Sequence, residues 1–66
     1  MHIQLNDQLT EIAADDTLAA VIDRLGLGER RIAVEINGEI VPYSQYPSYR
    51  LAQNDQVEIV HAIGGG

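Results

Sequence analysis

Leu18, Val21, Ile22 and Leu25 fall at i, i+3, i+4 and i+7, one apolar stripe at helical period with Asp23 and Arg24 on the opposite side. The spacing predicts one amphipathic helix of two to three turns. Asp15, Asp16 and Thr17 offer N-cap side chains and negative charge at its start, and Gly26 stands where a left-handed residue stops a helix. One helix covers one face of a sheet and not both. A chain of 66 residues whose other apolar residues alternate must therefore build a single sheet with that helix packed on one side.

The alternation is clear at both ends of the chain. Ile3 and Leu5 alternate with His2 and Gln4, Asn6-Asp7-Gln8 supplies turn chemistry, and a second short strand from Leu9 to Ile12 returns beside the first. Leu9 and Ile12 fall on opposite faces of a regular strand, which leaves that register open. Beyond a linker from Leu27 to Arg30, Ile32, Val34 and Ile36 alternate into Asn37-Gly38, a strong hairpin signal, and Glu39-Ile40-Val41 returns until Pro42 removes a ladder donor. Tyr43 to Ala52 reads as irregular with a short helical turn, and Asn54-Asp55 as a further turn. A last strand from Val57 to Ala62 sets Val57, Ile59 and His61 on one face and Glu58, Val60 and Ala62 on the other. The order strand, strand, helix, strand, strand, loop, strand predicts an α+β β-grasp domain over residues 1–63. Its single mixed sheet has about five strands, with the helix on one face and the first hairpin beside the last strand.

Composition narrows the function. A domain of this size buries only ~60% of the surface its unfolded chain exposes, which leaves little room for an enclosed active site. The sequence holds no cysteine, so thiolate metal sites, disulfides and a cysteine nucleophile are excluded. Ten acidic residues against four arginines, with no lysine, give a net charge of −6 and argue against nucleic acid. No stretch approaches the ~18 apolar residues of a membrane span, and Met1 to Leu5 does not begin a signal peptide. A soluble, cytoplasmic protein with no membrane partner is expected.

Few residues suggest chemistry within the domain. His2 and His61 have no third ligand at metal-binding spacing, so no metal is expected, and Asp15-Asp16 reads as capping rather than as an acid and base pair. Tyr43, Tyr46 and Tyr49 lack the basic groove of a base-stacking platform and are expected to cover an end of the sheet with their hydroxyls in water. Gly26-Leu27-Gly28 follows a helix and precedes no lysine, so it is a helix stop and not a phosphate loop.

Gly64-Gly65-Gly66 is different, because three glycines after a finished strand add nothing to the fold. A frayed end or an added linker is the plain explanation. The functional one is that a tail without side chains threads into the narrow cleft of another enzyme, with the carboxylate of Gly66 as the reacting group. A carboxylate must first be activated, and conversion to an acyl adenylate by ATP supplies a leaving group that a sulfur or nitrogen nucleophile can displace. With no phosphate loop and no evident magnesium ligands, the domain is expected to be a substrate of that activation and not its catalyst.

Ala33-Val34-Glu35-Ile36-Asn37-Gly38-Glu39-Ile40-Val41-Pro42, Leu51 with Asn54-Asp55-Gln56-Val57-Glu58-Ile59-Val60, and the ending Ile63-Gly64-Gly65-Gly66 resemble the ThiS family, the sulfur carriers of thiamine biosynthesis. Ile3-Gln4-Leu5-Asn6 and the helix led by Thr17 fit as well, so the resemblance spans the chain. Asn54 stands where the family usually has glycine, and Asn is the next best residue for a positive φ. The resemblance implies a ubiquitin-like β-grasp carrier, not an enzyme, with no bound cofactor. Gly66 would be adenylated by a ThiF-like adenylyltransferase using ATP and converted to a thiocarboxylate with sulfur from a cysteine desulfurase. A ThiG-like thiazole synthase would receive that sulfur. Gly65 and Gly66 carry over as the Gly-Gly pair, with Gly64 as a further slim residue. Val60, His61, Ala62 and Ile63 lead into the tail and complete the candidate partner-binding residues, with Val60 and Ala62 beside Ala33 as an apolar patch on the open face of the sheet. The competing readings are a carrier for molybdopterin or another sulfur-transfer pathway, a ubiquitin-like protein modifier, and a β-grasp interaction module with an incidental tail.

Overall fold

Two tight turns set the sheet. A computed structural model describes residues 1–28 and 31–61. In it β1 (His2–Leu5) and β2 (Gln8–Glu11) are joined by Asn6 and Asp7, and β3 (Ile32–Ile36) and β4 (Glu39–Ile40) by Asn37 and Gly38. All four turn residues have positive φ, at 47°, 67°, 53° and 87° in that order. Two-residue turns of this kind match the right-handed twist of the strands they join.

The first turn resolves the open register. Gln4 lies opposite Leu9 and Ile3 opposite Thr10, so Leu9 points away from the helix and is 67% exposed. Ile12, two residues beyond Thr10, returns to the face of Ile3 and is buried. Its N–H donates to the Met1 carbonyl at 2.8 Å and its carbonyl accepts from the Met1 amino group at 3.2 Å, which carries the ladder one pair past β2.

β5 (Gln56–His61) takes the centre of the sheet, whose order is β2-β1-β5-β3-β4. It runs parallel to β1 and antiparallel to β3, so the five described strands form the mixed sheet expected. Ile3, Val34, Ile36, Val57 and Ile59 face one way and meet Leu18, Val21 and Ile22 of the helix α1 (Leu18–Arg24) in a single core.

α1 is short, and its ends are satisfied from outside. Of the three cap candidates Thr17 is the cap, accepting from the Ala20 N–H at 3.2 Å. The Leu18 and Ala19 N–H groups donate to the Tyr49 and Tyr46 carbonyls at 2.9 and 3.0 Å. The irregular segment, with its 3-10 turn at Tyr43–Gln45, thus supplies acceptors for donors that every helix start leaves unpaired. At the other end Gly26, with φ 74°, donates to the Asp23 carbonyl and Leu27 to that of Ile22. This is a Schellman stop, and it turns the chain before the apolar stripe is finished. Leu25, the fourth member of the stripe, is therefore exposed and not buried.

The tyrosines do not form one surface. Tyr46 is buried in the core, Tyr43 stands in solvent with its ring edge-on to Tyr46 at 5.3 Å, and Tyr49 is half-buried. A spacing of three places residues on one side only in a regular helix, and here the helical turn ends at Gln45. Burial, with a smaller contribution from neighbouring Tyr43, pushes the Tyr46 hydroxyl above its ordinary pKa. Asn54 has φ 70°, so asparagine does occupy a left-handed position where the family favours glycine.

Asp16 accepts from the Ala13 N–H at 2.9 Å and pairs with Arg24 at 2.6 Å, tying the start of α1 to its end. Hydrogen bonding to Arg24, then to Ala13, holds its carboxyl below the ordinary value of 3.8. A carboxylate with a lowered folded-state pKa stabilises the fold above its unfolded-state pKa and loses that contribution as pH falls through the folded value. Wild type is therefore expected to exceed Asp16→Asn in urea midpoint at neutral pH, with the gap closing below about pH 4. A gap that stays constant down to the acid limit would show that the pair contributes nothing.

Candidate functional site

β5 carries two different faces toward the end of the described chain. Val57 and Ile59 are buried under α1, as their alternation predicts. Val60 points the other way, lies opposite Ala33 in the β3 ladder and is 56% exposed. Across β3 from it Ile40, opposite Glu35 in the β3–β4 ladder, is 69% exposed. Ala33, Ile40 and Val60, with Glu35 and Glu58, line an open depression of about 360 Å³ on the helix-free face. Scattered exposed apolar residues are ordinary, whereas a contiguous patch of them marks an interface.

Sequence reasoning placed Val60 and Ala33 there and missed Ile40. The signal was available, because a two-residue turn at Asn37-Gly38 sets Ile36 opposite Glu39 and hence Ile40 opposite Glu35. Alternation then puts Ile40 on the face of Ala33.

His61 does not join this patch. It pairs with Ile32 at the end of the ladder and lines a groove on the helix side with Leu5, Asn6, Gln8, Leu25, Leu27 and Ile59. Val60 and His61 therefore face opposite sides of the sheet, and one flat partner surface cannot cover both. Ala62, Ile63, Gly64, Gly65 and Gly66 lie outside the described residues. Among the described residues there is no group of three or more metal-ligating side chains, and no helix is long and apolar enough to cross a membrane. In its lining Glu35 and Glu58 stand opposite each other in one row of the ladder and Ala33 and Val60 in the row two residues on, with Ile40 on the other side of Glu35, an arrangement suited to an apolar side chain with a cation beside it.

The sequence model of the ThiS family matches residues 3–66. The chain belongs to the ThiS family. Among its relatives the sulfur carrier protein ThiS of Escherichia coli is 32% identical over 66 residues, covering all of both chains. Thiazole synthases of Paramagnetospirillum magneticum and Magnetococcus marinus are 39% and 38% identical over the same length. The chain spans 20% of the length of each synthase, so their ThiS-like part is a fraction of a larger protein. The crystal structure of a ThiS thiamine biosynthesis protein from Geobacter metallireducens superposes with a TM-score of 0.86 at 22% identity, covering all of both chains. That likeness establishes the ubiquitin-like β-grasp fold common to the ThiS family.

Proposed function

We propose that this chain is a sulfur carrier of thiamine biosynthesis whose reacting group is the carboxylate of Gly66. The observation that carries this is the end-to-end match to the Escherichia coli carrier, in a chain whose central strand leads into Gly64-Gly65-Gly66. The carboxylate attacks the α-phosphate of ATP on a ThiF-like adenylyltransferase and expels pyrophosphate. A persulfide sulfur, originating from a cysteine desulfurase, displaces AMP, and cleavage of the S–S bond by a thiol leaves the thiocarboxylate. The carrier then gives its sulfur to a ThiG-like thiazole synthase. Two thiazole synthases that contain a similar stretch support this acceptor over a molybdopterin pathway. On this reading the ATP-dependent carrier works in the cytoplasm. Within this scheme Gly64 and Gly65 give the tail its slimness, while Val60 and the segment from His61 to Ile63 contact the partners.

Intact-mass measurement tests the scheme after incubation with an adenylating enzyme, ATP and a sulfur donor. One oxygen exchanged for sulfur at the C-terminus is the expected result. A mass unchanged in the presence of a partner that loads the Escherichia coli carrier sinks it.

The sheet depression is the dock for the adenylating enzyme, and its apolar residues beside the Glu35–Glu58 pair call for an apolar residue next to an arginine or lysine. Val60→Asp sets a third carboxylate among Glu35 and Glu58. Its side chain is exposed, so folding is spared, and the dissociation constant is expected to rise by about tenfold or more. Binding equal to wild type in calorimetry would remove the depression from the interface.

A further inference from the structure

The two sides of β5 are held differently at the end that leads to the tail. Toward β3 the ladder continues to the last residue, with Ile32 opposite His61. Toward β1 the last backbone pair is Leu5 with Val57, and the Asn6 N–H still donates to the Val57 carbonyl at 2.9 Å. There the chain turns away through Asn6 and Asp7. The N–H and C=O of a strand residue point to the same side, so Ile59 presents both groups to a neighbour whose backbone has left.

The side chain of Asn6 fills that place. Its Oδ1 accepts from the Ile59 N–H at 2.8 Å and its Nδ2 donates to the Ile59 carbonyl at 3.2 Å, both partly buried. A carboxamide carries an acceptor and a donor on one plane, as a peptide unit does. β1 is thus extended by one side-chain peptide mimic, two residues before β5 ends at His61.

We propose that Asn6 is a positioning residue for the acyl-transfer chemistry of the tail. It holds the outgoing end of β5 against β1 and so fixes the point and direction from which the chain continues beyond His61. A partner that must thread Gly66 into its cleft then meets a strand already aimed. This rests on the carrier reading above.

A related contact at the far end of β5, half of it made by backbone, provides the control. Asn37 donates its N–H to the Gln56 carbonyl at 2.8 Å and accepts from the Gln56 N–H on Oδ1 at 2.9 Å, and its Nδ2 donates to Asp55 at 3.0 Å. Asn6 and Asn37 are both first residues of two-residue turns with positive φ, which glycine adopts freely. Asn6→Gly and Asn37→Gly therefore both keep their turns and their backbone bonds to β5, and each removes the side-chain bonds, one set at the end leading to the tail and one at the opposite end.

ATP-dependent pyrophosphate release by the adenylating enzyme is measured against carrier concentration, at a temperature where circular dichroism shows each variant folded. Asn6→Gly is expected to raise KM about tenfold, the scale of ordering roughly one extra residue, with kcat unchanged. Asn37→Gly should keep the wild-type KM. Asn6→Asp retains the acceptor and loses the donor, so it should fall between, and it stands in if Asn6→Gly does not fold. Amide exchange in the carrier alone should quicken at Ile59 in Asn6→Gly and stay slow there in Asn37→Gly. A wild-type KM in Asn6→Gly, or an equal rise in Asn37→Gly, overturns the positioning role while leaving the carrier reading intact. A wild-type chain that yields no pyrophosphate overturns both.

Discussion

Deleting Gly66 is expected to abolish sulfur loading and to leave the unfolding transition of the domain where it was. Every buried residue of the described core lies between Ile3 and Ile59, so no change in stability is expected. Loading fails for a geometric reason. The shortened chain still ends in a glycine carboxylate, but one residue of extended chain spans ~3.3–3.6 Å, so the carboxyl group stops that far short of the phosphorus it must attack. A misplacement of about 1 Å already costs on the order of 100-fold in rate, and several times that distance leaves no measurable turnover. A thiocarboxylate formed on Gly65 of the shortened chain within tenfold of the wild-type rate would contradict this. An interaction module with an incidental tail predicts the reverse pattern, with partner binding and every other activity unchanged.

Leu18→Ala carries the largest expected effect on folding. Leu18 is fully buried where the first turn of α1 meets the sheet, and alanine leaves a cavity there without weakening the helix, since alanine is the best helix former. Such truncations cost about 2–5 kcal/mol. At roughly 0.05–0.15 kcal/mol per residue, a domain of this length has only about 3–10 kcal/mol to lose. A loss of roughly half of the domain's stability is expected, read as a large fall in the urea midpoint. Leu9→Ala, at an exposed leucine on the other face, should stay within about 0.5 kcal/mol of wild type. Equal effects at the two leucines would mean that the register of β2 is misassigned.

The contrast between those leucines shows how far the sequence reads on its own. Periodicity located α1, β1, β3 and the buried face of β5, and Asn37-Gly38 located the second hairpin, because each is a local property of a few consecutive residues. Ile12 and Leu9 needed the length of the first turn as well, since a strand of four residues carries too little pattern to set its own register. Leu25 misled because the periodic stripe says nothing about where a Schellman stop takes the chain out of the helix. Tyr46 misled because its burial depends on a 3-10 turn packing against α1. For the candidate site, Val60 and Ala33 were legible from alternation. Asn6 was legible only as a turn former, because its carboxamide reaches a residue 53 positions away and no short-range pattern encodes that.

The placement of β5 has a consequence for how the protein is made. The strand at the middle of the sheet is the last of the described strands to be synthesised, and the two hairpins on either side of it have no backbone ladder to each other. α1, at seven residues, falls well short of the ~12–15 that an isolated helix needs, and two of its first donors rely on carbonyls at Tyr46 and Tyr49. A nascent chain that has emerged only as far as residue 55 therefore holds two unjoined hairpins and a short helix that lacks Val57 and Ile59 to pack on. Truncation before Gln56 is therefore expected to leave the chain unfolded, so that a folded domain is one in which the strand leading to the tail has already been made.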